Sequence, residues 1–292
     1  MQFSGVITAL ATPFRDGKLD LAALEKCVER QIAGGVHALV ACGCTGEAAT
    51  MSADEDRTVW RTVKEVARGR VPVIAGAGSN STSTALEHAL EAQADGCDAV
   101  MLITPYYNQP TQEGLYRHYR TIADGLRVPV MLYNVPGRTA CHIEAETVAR
   151  LAKDCANIVG LKEASGTVAA SAWAIKLCPP GFAVLSGDDP LFLPLAGIGV
   201  RGVVSVASNV APAPMVEMWN KYVSGDRDGA AEVYYRLLGL FKALFIETNP
   251  IPVKAALAMM GLIADELRLP MVPMTDAARP KLRAELEALG LV

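Results

Sequence analysis

The chain has 292 residues, 51% hydrophobic and 20% charged, with a formal net charge of −4. That is enough apolar matter for a large core, and the acidic balance, with no Lys/Arg-rich block, excludes a nucleic-acid-binding class. The longest apolar candidate for a membrane span, Val253 to Ala264, is short and carries Lys254.

Eight short apolar runs follow in order: Gly5–Leu10, Ala38–Cys42, Val71–Gly76, Ala99–Thr104, Val128–Asn134, Ile158–Lys162, Ala183–Gly187 and Gly202–Ser208. The first is preceded by Met1-Gln2-Phe3-Ser4, without a basic start, and is cut off by Pro13 and Arg15. It reads as a strand and not as a signal peptide. Amphipathic stretches near 20–34, 52–68, 81–95, 112–125, 143–153, 167–178 and 189–198 alternate with the runs. Ser52 with Glu55 makes a capping box, Thr111 caps the fourth helix, and Asp189 before Pro190 opens the seventh. Strand and helix alternating to eight strands predict an α/β protein with a (β/α)8 TIM barrel over residues 1–210, an open doubly wound sheet being the alternative. Stretches 212–223, 228–247, 252–262 and 276–289 all read as helices, so residues 211–292 form a C-terminal helical extension.

The sequence excludes several chemistries. His37, His88, His118 and His142 are far apart and build no ligand motif. Cys42-Gly43-Cys44 has no second pair nearby, so no metal site is expected. Gly76-Ala77-Gly78 lacks the third glycine and the later acid of a dinucleotide fingerprint, so no nucleotide is expected. Asp188-Asp189 is explained by helix capping. Seven cysteines, at 27, 42, 44, 97, 141, 155 and 178, sit in mostly apolar contexts. An odd number so placed fits reduced thiols of a cytoplasmic protein.

The positive candidates lie where strands end. Ile158–Lys162 stops abruptly at a cation. In a barrel that end faces the active site, where a partly desolvated lysine can lose its proton and form a Schiff base with a carbonyl carbon. The bland alternative is a lysine snorkelling to water. Strand five delivers Tyr133, suited to proton relay or to packing, and then Arg138, with a fork that fits a carboxylate or a plain place on the surface. Tyr133 and Lys162 come from consecutive strands and are expected to be neighbours. After strand two, Gly43-Cys44-Thr45-Gly46-Glu47 is either a backbone nest for a small carboxylate or a tight turn. Tyr106 and Tyr107 after strand four are expected to pack on each other or on a partner subunit.

These segments together resemble the dihydrodipicolinate synthase family, within the class I pyruvate aldolase and lyase superfamily. The likeness runs from Gly5-Val6-Ile7-Thr8-Ala9-Leu10-Ala11-Thr12-Pro13-Phe14 through Asn249-Pro250-Ile251-Pro252-Val253-Lys254 to Leu267-Arg268-Leu269-Pro270. Lys162 and Tyr133 are shared across the superfamily, while Pro136-Gly137-Arg138-Thr139 is more specific. The resemblance implies an imine of pyruvate on Lys162 with no other cofactor. It implies pyruvate's carboxylate at Thr45, aspartate 4-semialdehyde held by Arg138, and a further substrate contact at Val204. It also implies a proton relay of Tyr133, residue 44 and Tyr107, the last crossing a tight dimer interface in a homotetramer. A related class I aldolase cleaving a 2-keto-3-deoxy sugar acid or hydroxy-oxoacid to pyruvate, and a catalytically silent barrel, are the competing readings.

The sequence departs from the family pattern twice. Position 44 is Cys where the family usually has Thr, and a thiol is the weaker donor. Where lysine-inhibited relatives carry polar and imidazole side chains, this chain has Ala48, Ala53, Asp56 and Thr84, although Asn80 and Tyr106 remain. Weak or absent feedback inhibition by lysine is therefore expected.

Overall fold

A computed structural model describes residues 3–292. The part of the N-terminal reading that falls on Met1 and Gln2 lies outside the described residues. The barrel strands are β1 (Gly5–Ala9), β4 (Ala38–Ala41), β5 (Val73–Gly76), β6 (Ala99–Ile103), β7 (Val130–Asn134), β8 (Ile158–Glu163), β9 (Ala183–Ser186) and β10 (Gly202–Ser205). They close in the order β1-β10-β9-β8-β7-β6-β5-β4. A two-residue hairpin, β2 (Phe14–Arg15) with β3 (Lys18–Leu19), pairs antiparallel outside the barrel. The barrel strands are buried along nearly their whole length, in keeping with parallel strands covered on both faces and their unbroken apolar runs.

The chain divides by contacts into two compact units. One holds Pro72–Val204 with the N-terminal segment to Gly5. It carries β5 to β9, most of β10, and α3 (Thr82–Ala94), α4 (Gln112–Asp124), α5 (Pro136–Thr139), α6 (Ala145–Asp154), α7 (Val168–Leu177) and α8 (Asp189–Ala196). Within it, β7 pairs in register with β6 on one side, and with β8 on the other after a one-residue register shift between Val130 and Met131. Thr111 caps α4 by accepting the Gly114 amide. At α8 the cap is Asp188, and Asp189 is already the first helical residue and buried.

The other unit holds Val6–Val71 and Ser205–Val292. It carries β4, the hairpin, α1 (Leu21–Ala33), α2 (Ala53–Ala67), and the tail helices α9 (Pro212–Val223), α10 (Arg227–Ala243), α11 (Ile251–Met259) and α12 (Arg279–Ala288). The capping box at Ser52 and Glu55 opens α2 as expected, satisfying two amides at once. Ala23 and Cys27 of α1 share a buried cluster with Leu257 of α11, Ala11 and Ile263. The regular elements of the tail are all helices, with no strand among its described residues, and residues 260–278 between α11 and α12 run without helix.

Candidate active site

The first group of side chains is set by strand register. Tyr133 and Lys162 are the next-to-last residues of β7 and β8, and their Cα positions pair directly, as do those of Asn134 and Glu163. Because alternate strand residues point to opposite faces, Tyr133 and Lys162 share one face and Asn134 and Glu163 the other. The Lys162 Nζ lies 4.1 Å from the Tyr133 ring centroid, and the two residues are only 6% and 5% exposed. An amine and a phenol are thus held together away from bulk water.

The opposite face pins these strand ends. Asn134 Nδ2 donates to Glu163 Oε2 at 2.9 Å, Ser165 N donates to Glu163 Oε1 at 2.6 Å, and the Ile143 amide donates to Asn134 Oδ1. Gly187, just past β9, donates its amide to the Glu163 carbonyl at 2.7 Å. A Cβ at Gly187 would meet the Ala164 Cβ at 2.5 Å and the Lys162 Cε at 3.1 Å, so glycine leaves room for the lysine stem. Sequence reading did not single out Gly187, which there is only the end of an apolar run.

Arg138 lies on α5, a single helical turn directly after β7, and is exposed. Its neighbour Thr139 anchors the turn, its hydroxyl lying 3.0 Å from the Thr104 hydroxyl and donating to the Cys141 carbonyl. Tyr107 has a left-handed backbone (φ 73) and is 89% exposed, its amide donating to the Thr139 carbonyl. Its ring protrudes from this chain and is not packed in the core. Val204 is buried in β10, one residue past the Val203–Ser186 pairing.

The second group belongs to the other unit. After β4 the chain turns through Cys42-Gly43-Cys44-Thr45-Gly46-Glu47, with Gly46 and Ala48 amides donating to the Gly43 carbonyl. The left-handed positions are Cys42 and Glu47 (each φ 56), not the glycines. Gly46 is needed for space: its Cβ would sit 3.1 Å from the Thr12 Oγ1 and 3.2 Å from the Leu10 carbonyl. Cys44 is partly exposed and Thr45 is buried. The Thr45 hydroxyl accepts a hydrogen bond from Asn249 Nδ2 at 3.1 Å. Two residues on, Glu47 forms a fully buried ion pair with Lys254 at 2.5 Å and accepts the Arg268 amide at 3.0 Å. Burial pulls the Lys254 ammonium down from the usual lysine range, with Glu47 opposing. Lys254 and Arg268 each lie 4.3 Å from the Phe14 ring centroid. The Arg268 guanidinium forks onto Glu55 and holds that carboxyl at about 2. Asn249, Glu47 and Arg268 escaped the sequence reading as site residues.

Among the described residues no group of three or more His, Cys, Asp or Glu could hold a metal ion, and no helix is long and apolar enough to cross a membrane.

A closed barrel of parallel strands here carries a buried amine and phenol side by side at paired strand ends, the end at which barrel enzymes keep their active sites. The chain belongs to the Dihydrodipicolinate synthetase family, which it matches over residues 2–289, and it is a lyase. It is 50% identical over 291 residues to a 4-hydroxy-tetrahydrodipicolinate synthase of Syntrophobacter fumaroxidans, covering 99% of this chain and 100% of that one. It superposes on a dihydrodipicolinate synthase structure from Thermotoga maritima with TM-score 0.98 and 45% identity, covering 100% of both chains. It is also similar to the chloride-inhibited enzyme from Acinetobacter baumannii complexed with pyruvate, at TM-score 0.96 and 43% identity over 99% of both chains.

Proposed function

We propose that this chain condenses pyruvate with aspartate 4-semialdehyde to give 4-hydroxytetrahydrodipicolinate, a step of lysine and diaminopimelate biosynthesis in the cytoplasm. The observation that carries the reading is Lys162 lying 4.1 Å from the Tyr133 ring at directly paired strand ends, in a chain of this family. The amine of Lys162 attacks the keto carbon of pyruvate and water leaves, forming an imine. Loss of a methyl proton gives an enamine, whose carbon attacks the aldehyde carbon of the semialdehyde. The amino group of that substrate then displaces Lys162 from the imine carbon and closes the ring.

Tyr133, Cys44 and Tyr107 carry protons in this scheme. Thr45 receives the pyruvate carboxylate, Arg138 the carboxylate of the semialdehyde, and Val204 contributes to the substrate contacts. No metal or nucleotide takes part. The 89% exposure of Tyr107 suits a ring completed by a second copy of the chain, in a tight dimer paired into a tetramer. Residues 1–210 then act as the catalytic barrel and 211–292 as its helical extension. With alanines at 48 and 53, lysine binds too weakly to inhibit at submillimolar concentration.

Borohydride reduction in the presence of pyruvate tests the reading. We expect one adduct, on Lys162, and turnover in a coupled assay supplied with pyruvate and aspartate semialdehyde. No adduct, or an adduct without turnover of the semialdehyde, overturns it.

A further inference from the structure

We propose that Asn249 and Lys254, on the segment that opens α11, are positioning residues for the loop after β4: Asn249 sets the direction of the Thr45 hydroxyl and Lys254 fixes the loop backbone through Glu47. This rests on the reading in which that loop receives the carboxylate of pyruvate.

A primary amide nitrogen has hydrogens to give and no lone pair to offer. Asn249 Nδ2, 3.1 Å from Thr45 Oγ1 in a buried setting, makes the hydroxyl oxygen an acceptor. The hydroxyl's own proton must then point elsewhere. Thr45 is thereby turned into a committed donor, which an anion can use and a neutral acceptor less well. The bond spans 204 residues of sequence and joins the tail to the loop.

Lys254 works on the backbone. Its ammonium is 0% exposed and sits 2.5 Å from Glu47 Oε1, while Oε2 of the same carboxylate accepts the Arg268 amide at 3.0 Å. Glu47 is one of the two left-handed residues of the turn, so holding its side chain from both oxygens holds the turn. The Phe14 ring lies 4.3 Å from both Lys254 Nζ and Arg268 Cζ and limits the ways these side chains can shift. The pair is shielded from solvent and keeps its geometry in salt far better than an exposed pair would.

The test compares Asn249→Asp with Asn249→Ala. A carboxylate keeps the shape of asparagine but can only accept, which turns the Thr45 proton back towards residue 249 and sets a negative charge beside an incoming anion. We expect the KM for pyruvate to rise roughly fivefold in Asn249→Ala and roughly 30-fold or more in Asn249→Asp, from the usual worth of a lost neutral and a reversed charged hydrogen bond. The KM for the semialdehyde stays unchanged. A role confined to stability lowers the urea midpoint of both variants and leaves the pyruvate KM where it was. Circular dichroism verifies the fold. Should an Asn249 variant not fold, the charge-free, volume-keeping double variant Glu47→Gln/Lys254→Met is read instead, with a rise of roughly fivefold in pyruvate KM expected from the loosened loop. If the unaltered chain forms no pyruvate adduct, both the reading and this inference fall. An adduct with pyruvate KM unchanged in the folded variants overturns the inference alone.

Discussion

The two units hold their reactive groups by opposite means. Around Lys162 the geometry is written by the sheet: adjacent strands, direct register, and Asn134 to Glu163 bonds between residues 29 positions apart. Around Thr45 it is written by side chains and one backbone amide from the far end of the chain, 204 to 221 residues away, meeting a turn whose left-handed residues are not glycines. Strand pairing fixes a side chain through many backbone bonds, so losing one costs little. A turn held by one buried ion pair and one amide is sensitive to each of them.

The largest effect belongs to the sheet side. Lys162→Ala removes the amine proposed to attack pyruvate, and kcat is expected to fall at least about a thousandfold with no borohydride adduct and no change in urea midpoint beyond a small shift. Unaltered trapping would mean that another lysine carries the imine. On the turn side the matching single change, Lys254→Met, leaves the Glu47 carboxylate buried without its cation. We expect a loss of about 3–5 kcal/mol in urea unfolding, most of it regained in Glu47→Gln/Lys254→Met. Additive losses in the double variant would show that packing around Lys254 matters more than charge.

This contrast also explains what the sequence made legible. An apolar run ending in a cation marked Lys162, and the order of strands placed Tyr133 beside it, because parallel strands joined by helices fall next to one another. The helical character of the tail was equally readable. The Asn249 and Lys254 contacts were not, since no local pattern reports which distant residues meet. The hairpin at Phe14–Leu19 and the one-turn α5 were missed because two-residue strands and a four-residue helix containing Pro136 and Gly137 carry no periodicity. The turn after β4 misled for another reason. Its glycines suggested backbone flexibility, whereas Gly46 is there for close packing and the unusual φ angles fall on Cys42 and Glu47.

Acid separates the two units further. His118 on α4 is buried and its imidazole is pushed down to about 4, because burial disfavours the charged ring. The unfolded chain protonates it near 6.5 and the folded chain does not, so stability is whole above 6.5 and falls as pH drops from 6.5 to 4, by about 3 kcal/mol. Glu55, held at about 2 chiefly by Arg268, contributes stability above 4.5 that is lost only as pH falls towards 2. Hydrogen exchange followed down the pH scale should therefore loosen α4 before α2, and His118→Asn should flatten the first phase. Simultaneous loosening, or a first phase that survives the substitution, would remove the distinction.

Gly187→Ala tests how closely the sheet side is fitted. Its Cβ would press on Ala164 and approach the Lys162 Cε to 3.1 Å. Overpacking of this kind costs about 1–3 kcal/mol of stability. Displacement of the lysine should slow imine formation by about tenfold, read as the rate of borohydride trapping at saturating pyruvate. A destabilised variant that traps pyruvate at the original rate would mean that the added methyl moves Ala164 and leaves the lysine in place.

The smallest expected effect lies on the turn side, at Cys44. A thiol donates more weakly than a hydroxyl, so Cys44→Thr should raise kcat by about two- to fivefold if this residue passes a proton. The same position offers a chemical probe. Burial pushes the Cys27 and Cys178 thiols up to about 11 and about 12, which keeps them protonated and unreactive at pH 8 even though Cys178, like Cys44, is partly exposed. Alkylation at that pH should reach Cys44 early, and pyruvate should slow it. Equal labelling with and without pyruvate would place the thiol away from the bound substrate. Together with an unchanged kcat in Cys44→Thr, it would reduce the turn to Thr45 and its support from Asn249.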